Sequence, residues 1–207
     1  MRTAFFSLLT ILCLMLAVAP AMADIIYDNG PINGTTDAWT ISDPYSVSDS
    51  FIPNFFDVIL EGLNIGVWLS PGDSVSSVEM QVGSNPFGND IYDHVLYATG
   101  FTDLGINQYG YDLQQVNFRP YVHLLGSVSG NFWVTLSNAN GPPGGDVVYW
   151  DENSGPSTAY ENTIGSIPSE AFTMTGQFVF YVPEPSSILL FGSGLLGLVG
   201  VLRRWLF

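Results

Sequence analysis

The sequence contains very little cysteine and very little positive charge. Its one cysteine, Cys13, lies in an apolar N-terminal segment, and there is no lysine at all. Between Asp24 and Val182 the only basic side chain is Arg119, against 18 acidic residues, which gives this region a net charge of −17. The region therefore has no disulfide and no catalytic thiol. Its charge argues against nucleic acid and anionic membrane surfaces as partners, because phosphate binding requires clustered lysine and arginine.

The usual catalytic motifs are also missing. His94 and His123 are too few and too isolated for a zinc motif, and no Gly-x-Ser-x-Gly nucleophile motif occurs. Asp90 and Asp93 form a carboxylate pair of the kind that glycoside hydrolysis uses, but any acidic chain offers such pairs. We therefore expect a protein that is not an enzyme.

The N-terminal segment has the three parts of a secretory signal peptide. Arg2 supplies a basic start, residues 5–18 form an apolar run, and Ala21 and Ala23 form an Ala-x-Ala cleavage site. The pattern predicts that residues 1–23 are removed and that the mature chain begins at Asp24. A membrane anchor is the alternative, and the shortness of the apolar run argues against it.

The last 25 residues join an extended peptide, an apolar segment and a basic end. The prolines of a Pro-Glu-Pro tripeptide at 183–185 fix φ and predict an exposed, extended backbone. Residues 186–202 carry no charge, and their length is near the short end of what a transmembrane helix needs. Arg203 and Arg204 follow and predict a cytoplasmic C-terminus. The segment 186–202 is therefore predicted to be a transmembrane helix.

This tail resembles the PEP-CTERM sorting signal of exported Gram-negative bacterial proteins. The residues that match its tripeptide and its basic cluster are Pro183, Glu184, Pro185, Arg203 and Arg204. The resemblance implies an inner-membrane-anchored precursor that an exosortase, a membrane transpeptidase-like enzyme, processes near the tripeptide. It also implies a final place at the cell surface or in the extracellular matrix, in association with exopolysaccharide or biofilm. An ordinary C-terminal membrane anchor with a proline-rich stalk remains the alternative.

The region 24–182, between the two targeting segments, is predicted to be one all-β domain. Apolar residues alternate with a period of two, rather than 3.6, in residues 63–69, 78–82 and 132–137. The turn residues 71–73 separate the first two of these segments and predict a hairpin between them.

About ten short strands are predicted in all, and no convincing amphipathic helix lies among them. Residues 85–110 are rich in glycine, asparagine and aspartate and are predicted to be loops, with one strand at 94–98. A final strand is predicted at 177–182. Short strands without βαβ alternation favour an antiparallel β-sandwich of jelly-roll type. Phrases such as those at 27–31 and 149–151 are similar to a recurrent ectodomain of PEP-CTERM proteins, which brings no established activity with it.

Calcium is the one cofactor that the composition makes worth considering. It binds six to eight oxygens, often from aspartate, asparagine and backbone carbonyls on loops. No EF-hand spacing is present, and solvated turn residues are the alternative interpretation. The carboxylates that could contribute are Asp24, Asp28, Asp146 and Asp151.

Glycan binding is the other site hypothesis, and it corresponds to an alternative function as a carbohydrate-binding module with a defined ligand. Exposed aromatic rings can stack on sugar faces, although aromatic residues in strands belong more often to the core. Trp68 and Trp133 point away from the aliphatic faces of their strands. We therefore expect these two side chains to be exposed or to face a second layer.

Overall fold

The computed structural model describes residues 23–53, 57–125, 131–141 and 147–179, together with Gly194. The predicted signal peptide up to residue 22, the tripeptide 183–185, the segment 186–202 and the two C-terminal arginines lie outside these residues. The described residues form strands β1 (Asp24–Asp28), β2 (Ala38–Thr40), β3 (Ser46–Phe51), β4 (Asp57–Leu69), β5 (Ser77–Gly83), β6 (Tyr92–Tyr97), β7 (Gly100–Ile106), β8 (Asp112–Phe118), β9 (Val122–Leu125), β10 (Phe132–Asn140), β11 (Tyr149–Asp151), β12 (Ala159–Glu161), β13 (Gly165–Ile167) and β14 (Phe172–Phe178).

These strands form two antiparallel sheets, as predicted. The eight-stranded sheet has the order β1-β14-β4-β11-β2, and β8 and β9 also pair with β4, while β7 pairs with β8. The six-stranded sheet has the order β13-β12-β3-β10-β5-β6. The long strand β4 is the centre of the larger sheet. Strands β14 and β11 pair along one of its edges, and β8 and β9 pair along the other. The jelly-roll connectivity remains a prediction.

The inner faces of both sheets contribute to one hydrophobic cluster. Successive side chains of a strand point to opposite faces, so the apolar members of an alternating run share one side. Leu63, Ile65 and Val67 of β4 are completely buried, and so are Val134 and Leu136 of β10 in the other sheet. The predicted inner faces of these two strands are confirmed.

The predicted hairpin between residues 63–69 and 78–82 is wrong. The turn itself is present, with the Asp73 amide donating to the Ser70 carbonyl at 3.0 Å. However, β4 belongs to the eight-stranded sheet, whereas β5 pairs with β10 and β6 in the six-stranded sheet. The turn carries the chain from one sheet to the other, and local alternation does not specify which strands pair.

Residues 85–110 contain more structure than predicted. Strand β6 lies close to the predicted 94–98, but β7 follows it and pairs with β8. Every residue of β7 is exposed, so no buried apolar pattern marks this strand in the sequence. The last strand, β14, begins at Phe172 rather than at residue 177, and the rest of the predicted strand, from residue 180, lies outside the described residues.

A membrane-spanning helix was predicted for residues 186–202. Within the part of the chain that the structure describes, no helix is long and apolar enough to cross a membrane. The predicted segment lies outside that part.

Candidate functional site

The outer face of the eight-stranded sheet carries a polar groove with a volume of about 760 Å³. It lies over the middle of β4, where Asn64 is paired with Asn117 of β8 on one side and Thr173 of β14 on the other. The inner face of these strands is apolar, so alternation leaves the polar side chains outside. The side chains that line the groove include Glu61, Asn64, Asn117, Arg119, Tyr121 and Thr175.

The floor of the groove is low because Gly62 has no side chain. A Cβ atom at this position would collide with the Thr175 hydroxyl oxygen. Ala23, the last residue of the predicted signal peptide, is exposed and also lines the groove. Cleavage after Ala23 would therefore place the new N-terminus at Asp24 beside this site.

The groove combines one acidic and one basic side chain with a solvent-exposed ring. Both carboxylate oxygens of Glu61 accept hydrogen bonds from the Gln177 amide, at 3.1 and 3.0 Å. Arg119 is exposed, and the one ion pair among the described residues is elsewhere, between His123 and Asp57. Tyr121 is 69% exposed. The groove therefore offers donors, an acceptor and a ring to a ligand.

A second cavity of about 470 Å³ lies on the same face of the sheet. Gln115 and Thr173 line it, and each stands two residues from a lining residue of the first groove, Asn117 on β8 and Thr175 on β14. Since residues two apart on a strand share a face, the two cavities follow the same pair of strands.

An aromatic cluster covers Trp68 on this outer face. The ring of Tyr109 stacks on Trp68 with centroids 5.3 Å apart, and Tyr111 packs beside it at 6.0 Å. Trp68 is only 5% exposed, so of the two positions expected for it, exposed or facing a second layer, the exposed one does not apply. The turn between β7 and β8 folds over the indole, a contact between distant segments that strand alternation cannot predict. Tyr109, at 53% exposed, is the ring that this cluster presents to solvent.

Trp133 is half-buried on β10 in the other sheet. Its ring meets that of Tyr160 edge-on, with centroids 5.6 Å apart and an angle of 61° between the planes. The structure therefore places Trp68 and Trp133 in different sheets and does not bring them together into one aromatic platform.

Asp151 holds the loop between β1 and β2 against the outer face of the sheet. Its Oδ2 atom accepts from the Asn33 amide at 2.8 Å, and its Oδ1 atom accepts from the Gly34 amide at 3.0 Å and from Trp68 Nε1 at 2.6 Å. Burial raises the pKa of Asp151, while these three donors favour the ionised form. Both of its oxygens are engaged by N–H donors, which leaves little for a metal ion.

The other carboxylates named for calcium do not join Asp151. Asp24 and Asp28 are exposed on β1, and Asp28 accepts a hydrogen bond from the Gly30 amide at 3.0 Å. Asp146 lies outside the described residues. Within those residues no three acidic or histidine side chains are grouped so that they could hold a metal ion. Calcium binding therefore stays a prediction.

The most unusual polar group, which no motif in the sequence indicates, is a pair of acids inside the core. Asp49 and Glu170 are both completely buried. The Glu170 amide donates to Asp49 Oδ2 at 2.7 Å, and Asn29 Nδ2 donates to the same oxygen at 3.1 Å. Asp49 Oδ1 and both carboxyl oxygens of Glu170 have no hydrogen-bond partner in the described parts of the chain.

These buried acids bind protons more readily than ordinary carboxyl groups. Burial raises the pKa of Asp49 to about 6, because a charge is poorly solvated there. Burial also raises the pKa of Glu170 well above its usual range, and the negative charge of Asp49 raises it further. Glu152 lies opposite Glu170 in an isolated antiparallel bridge and adds to the same effect.

Amide and hydroxyl groups surround the acid pair. Asn29 Nδ2 lies 2.7 Å from Ser157 Oγ, 2.9 Å from Ser169 Oγ and 2.7 Å from the Glu170 carbonyl oxygen. Asn153 donates to the Asn29 carbonyl at 2.8 Å and accepts from the Ser169 hydroxyl at 2.9 Å. The Asn29 NH₂ group has only two hydrogens, fewer than the acceptor atoms around it. This end of the core therefore holds more acceptors than donors.

Comparison with protein-family models matches residues 182–204 to the PEP-CTERM protein-sorting motif. The match includes the tripeptide, the apolar segment and both arginines that the sequence analysis had identified, and it confirms that resemblance. The motif is that of exported proteins that an exosortase sorts, typically in Gram-negative bacteria. No curated protein and no solved structure matches this chain.

Proposed function

We propose that this chain is a non-enzymatic protein of the cell surface or extracellular matrix, released from the inner membrane by an exosortase and associated with exopolysaccharide or biofilm. The observation that carries the proposal is the sorting motif at residues 182–204, which follows directly on an all-β domain. The acidic charge of that domain suits an exported protein, because it favours solubility outside the cell.

The order of the tail supplies the sorting mechanism. The segment 186–202 anchors the precursor in the inner membrane, and Arg203 and Arg204 hold its end in the cytoplasm. The prolines at 183 and 185 keep the tripeptide extended, the form in which a protease or transpeptidase binds a peptide. Cleavage near the tripeptide then separates the β domain from its anchor.

The folded domain ends close to the proposed cleavage site. Val179 still donates a backbone hydrogen bond to the Asp57 carbonyl, at 2.9 Å. Pro183 is the fourth residue after Val179, and even a fully extended chain covers only about 14 Å over four residues. Pro183 therefore lies within that distance of the folded domain, and the exosortase acts near it.

Recovery of the protein from the extracellular matrix of its host tests the proposed location. Enzymatic digestion of the matrix polysaccharide should release the protein without cutting it. A protein that stays in the inner-membrane fraction, with or without this digestion, would contradict the proposal.

The second candidate function is a carbohydrate-binding module with a defined glycan ligand. The groove over β4 favours it, because this groove offers a ring, amides and one charge of each sign on the outer face of the sheet. A jelly-roll connectivity, as in lectin domains, would be consistent with this function. A glycan array tests the second function with the full chain. Binding to one defined glycan would indicate a carbohydrate-binding module, whereas binding to none would indicate a protein held in the matrix without a glycan ligand.

A further inference from the structure

We propose that the groove over β4 binds a neutral polysaccharide chain, with Tyr121 stacking on a sugar face and with Asn64 and Arg119 donating hydrogen bonds to hydroxyl groups. The inference rests on the proposed association with exopolysaccharide and adds the site and the class of ligand. Four observations carry it: the shape of the groove, the hydrogen-bond donors that no described side chain engages, the exposed ring of Tyr121, and the charge.

The shape suits an extended polymer. The first cavity measures about 760 Å³, and the second, of about 470 Å³, follows the same two strands. The floor at Gly62 lies between polar side chains of neighbouring strands, and the paired strands hold the backbone from which these side chains project. A rigid site of this kind loses little conformational entropy when a ligand binds.

The donors in the groove are not engaged by other side chains in the described part of the chain. Neighbouring amides are occupied, since Gln177 donates to Glu61 and Gln115 donates to Asn117 at 3.4 Å. Asn64 is half-buried on the floor without such a bond, and Arg119 has no described carboxylate partner. Sugar hydroxyls can both donate and accept, so a glycan could satisfy these groups.

Tyr121 provides the apolar contact that sugar recognition also requires. Its side chain is 69% exposed at the rim of the groove, and the residue before it, Pro120, is buried and fixes the backbone. A pyranose presents C–H groups on one face, and an exposed aromatic ring can pack against them.

Charge decides between a neutral and an acidic polymer. The groove contains one carboxylate, Glu61, and one guanidinium, Arg119, and the second cavity adds the Asp28 carboxylate. Even with the ammonium group that cleavage after Ala23 would place at Asp24, these groups leave no surplus of positive charge for an acidic polymer. The region 24–182 around it carries a net charge of −17, which repels a polyuronate or a phosphate-bearing polymer. A second copy of the chain would bring the same charge and is equally disfavoured.

Affinity electrophoresis of the full chain in detergent tests the proposal. The gels contain dextran, mannan or mixed-linkage β-glucan as neutral polymers, or alginate as a polyuronate. We expect retardation by at least one neutral polymer and none by alginate. Tyr121→Ala should weaken the retarding interaction about tenfold, and Arg119→Gln should also weaken it.

The matched control is Tyr97→Ala, which removes another exposed tyrosine, 73% exposed on β6 of the other sheet. It should leave the interaction unchanged, and thermal unfolding should show that all three variants fold. No retardation by any neutral polymer, stronger retardation by alginate, or equal loss in the control would overturn the proposal. The cleavage state of the chain in its host is measured separately, so failure here leaves the sorting proposal standing.

Discussion

The backbone amide of Glu170 donates a 2.7 Å hydrogen bond to Asp49 Oδ2, at a point where both carboxyl groups are completely buried. The bond ties the segment before β14, in the eight-stranded sheet, to β3 in the six-stranded sheet. Across the described residues the only guanidinium is Arg119, in the outer groove, so no lysine or arginine neutralises this pair. Proton binding therefore relieves the repulsion between these carboxyl groups.

The first prediction concerns pH. The pKa of Asp49 is raised from 3.8 to about 6 in the folded state, so its contribution to stability is complete below about pH 4 and is lost as the pH rises through 6. The raised pKa of Glu170 acts in the same direction. We expect the free energy of unfolding to be lower at pH 8 than at pH 4.5, on the order of 2 kcal/mol from Asp49. Urea titrations followed by tryptophan fluorescence measure this, and stability that rises steadily to pH 8 would refute it.

The second prediction separates the buried acids from general charge repulsion. Glu170→Gln imitates the protonated side chain, so it should raise stability at pH 8, by on the order of 1 kcal/mol, and change it little at pH 4.5. Asp93→Asn removes the same charge from an exposed site and is the control. The same urea titrations apply. Equal effects of the two substitutions at pH 8 would show that net charge, rather than burial, governs the pH dependence.

The third prediction concerns the loop that Asp151 holds. Asp151→Ala removes the acceptor of three hydrogen bonds and leaves the buried Trp68 N–H without a partner. We expect a loss of about 3 kcal/mol in the free energy of unfolding. Asp112→Ala is the control. Among the described hydrogen bonds, the Asp112 side chain accepts one, from the Gly72 amide, and this bond is exposed to solvent. Similar losses in the two variants would contradict the anchoring role of Asp151.

The sequence predicts the faces of strands better than their partners. The buried sides of β4 and β10 follow from a period of two, which is a local property. Pairing is not local: β4 pairs with β14, which begins more than a hundred residues later. The failed hairpin between β4 and β5 follows from this, since a turn between two strands permits either a hairpin or a crossing between sheets.

The buried acids were equally difficult to anticipate. Three serines of β3 alternate with Val47, Asp49 and Phe51, as in a half-buried strand, yet five of the six residues of β3 are buried. Asp49 shares the inner face with Val47 and Phe51 and accepts the bond from the Glu170 amide there. On the serine face, the Thr158 amide donates to Ser50 Oγ at 3.1 Å. Of the groove, the sequence showed only that polar residues alternate with apolar ones, because its walls come from three separate strands.

The fourth prediction concerns the sorting tail. Glu184→Ala, or deletion of Arg203 and Arg204, should leave uncleaved precursor in the membrane fraction, because the tripeptide and the basic end are both parts of the matched motif. Ser186→Ala, in the adjoining segment, is the control and should mature normally. Immunoblots of fractionated cells compare precursor with mature protein. Normal maturation of the first two variants would remove the support for exosortase processing.

The most direct test of the account is the intact mass of the protein recovered from its native host, in membrane and extracellular fractions. We predict an extracellular form that begins at Asp24 and ends near the tripeptide 183–185. A mature form that still contains Arg203 and Arg204 would mean that the tail is a plain membrane anchor, and it would contradict the account.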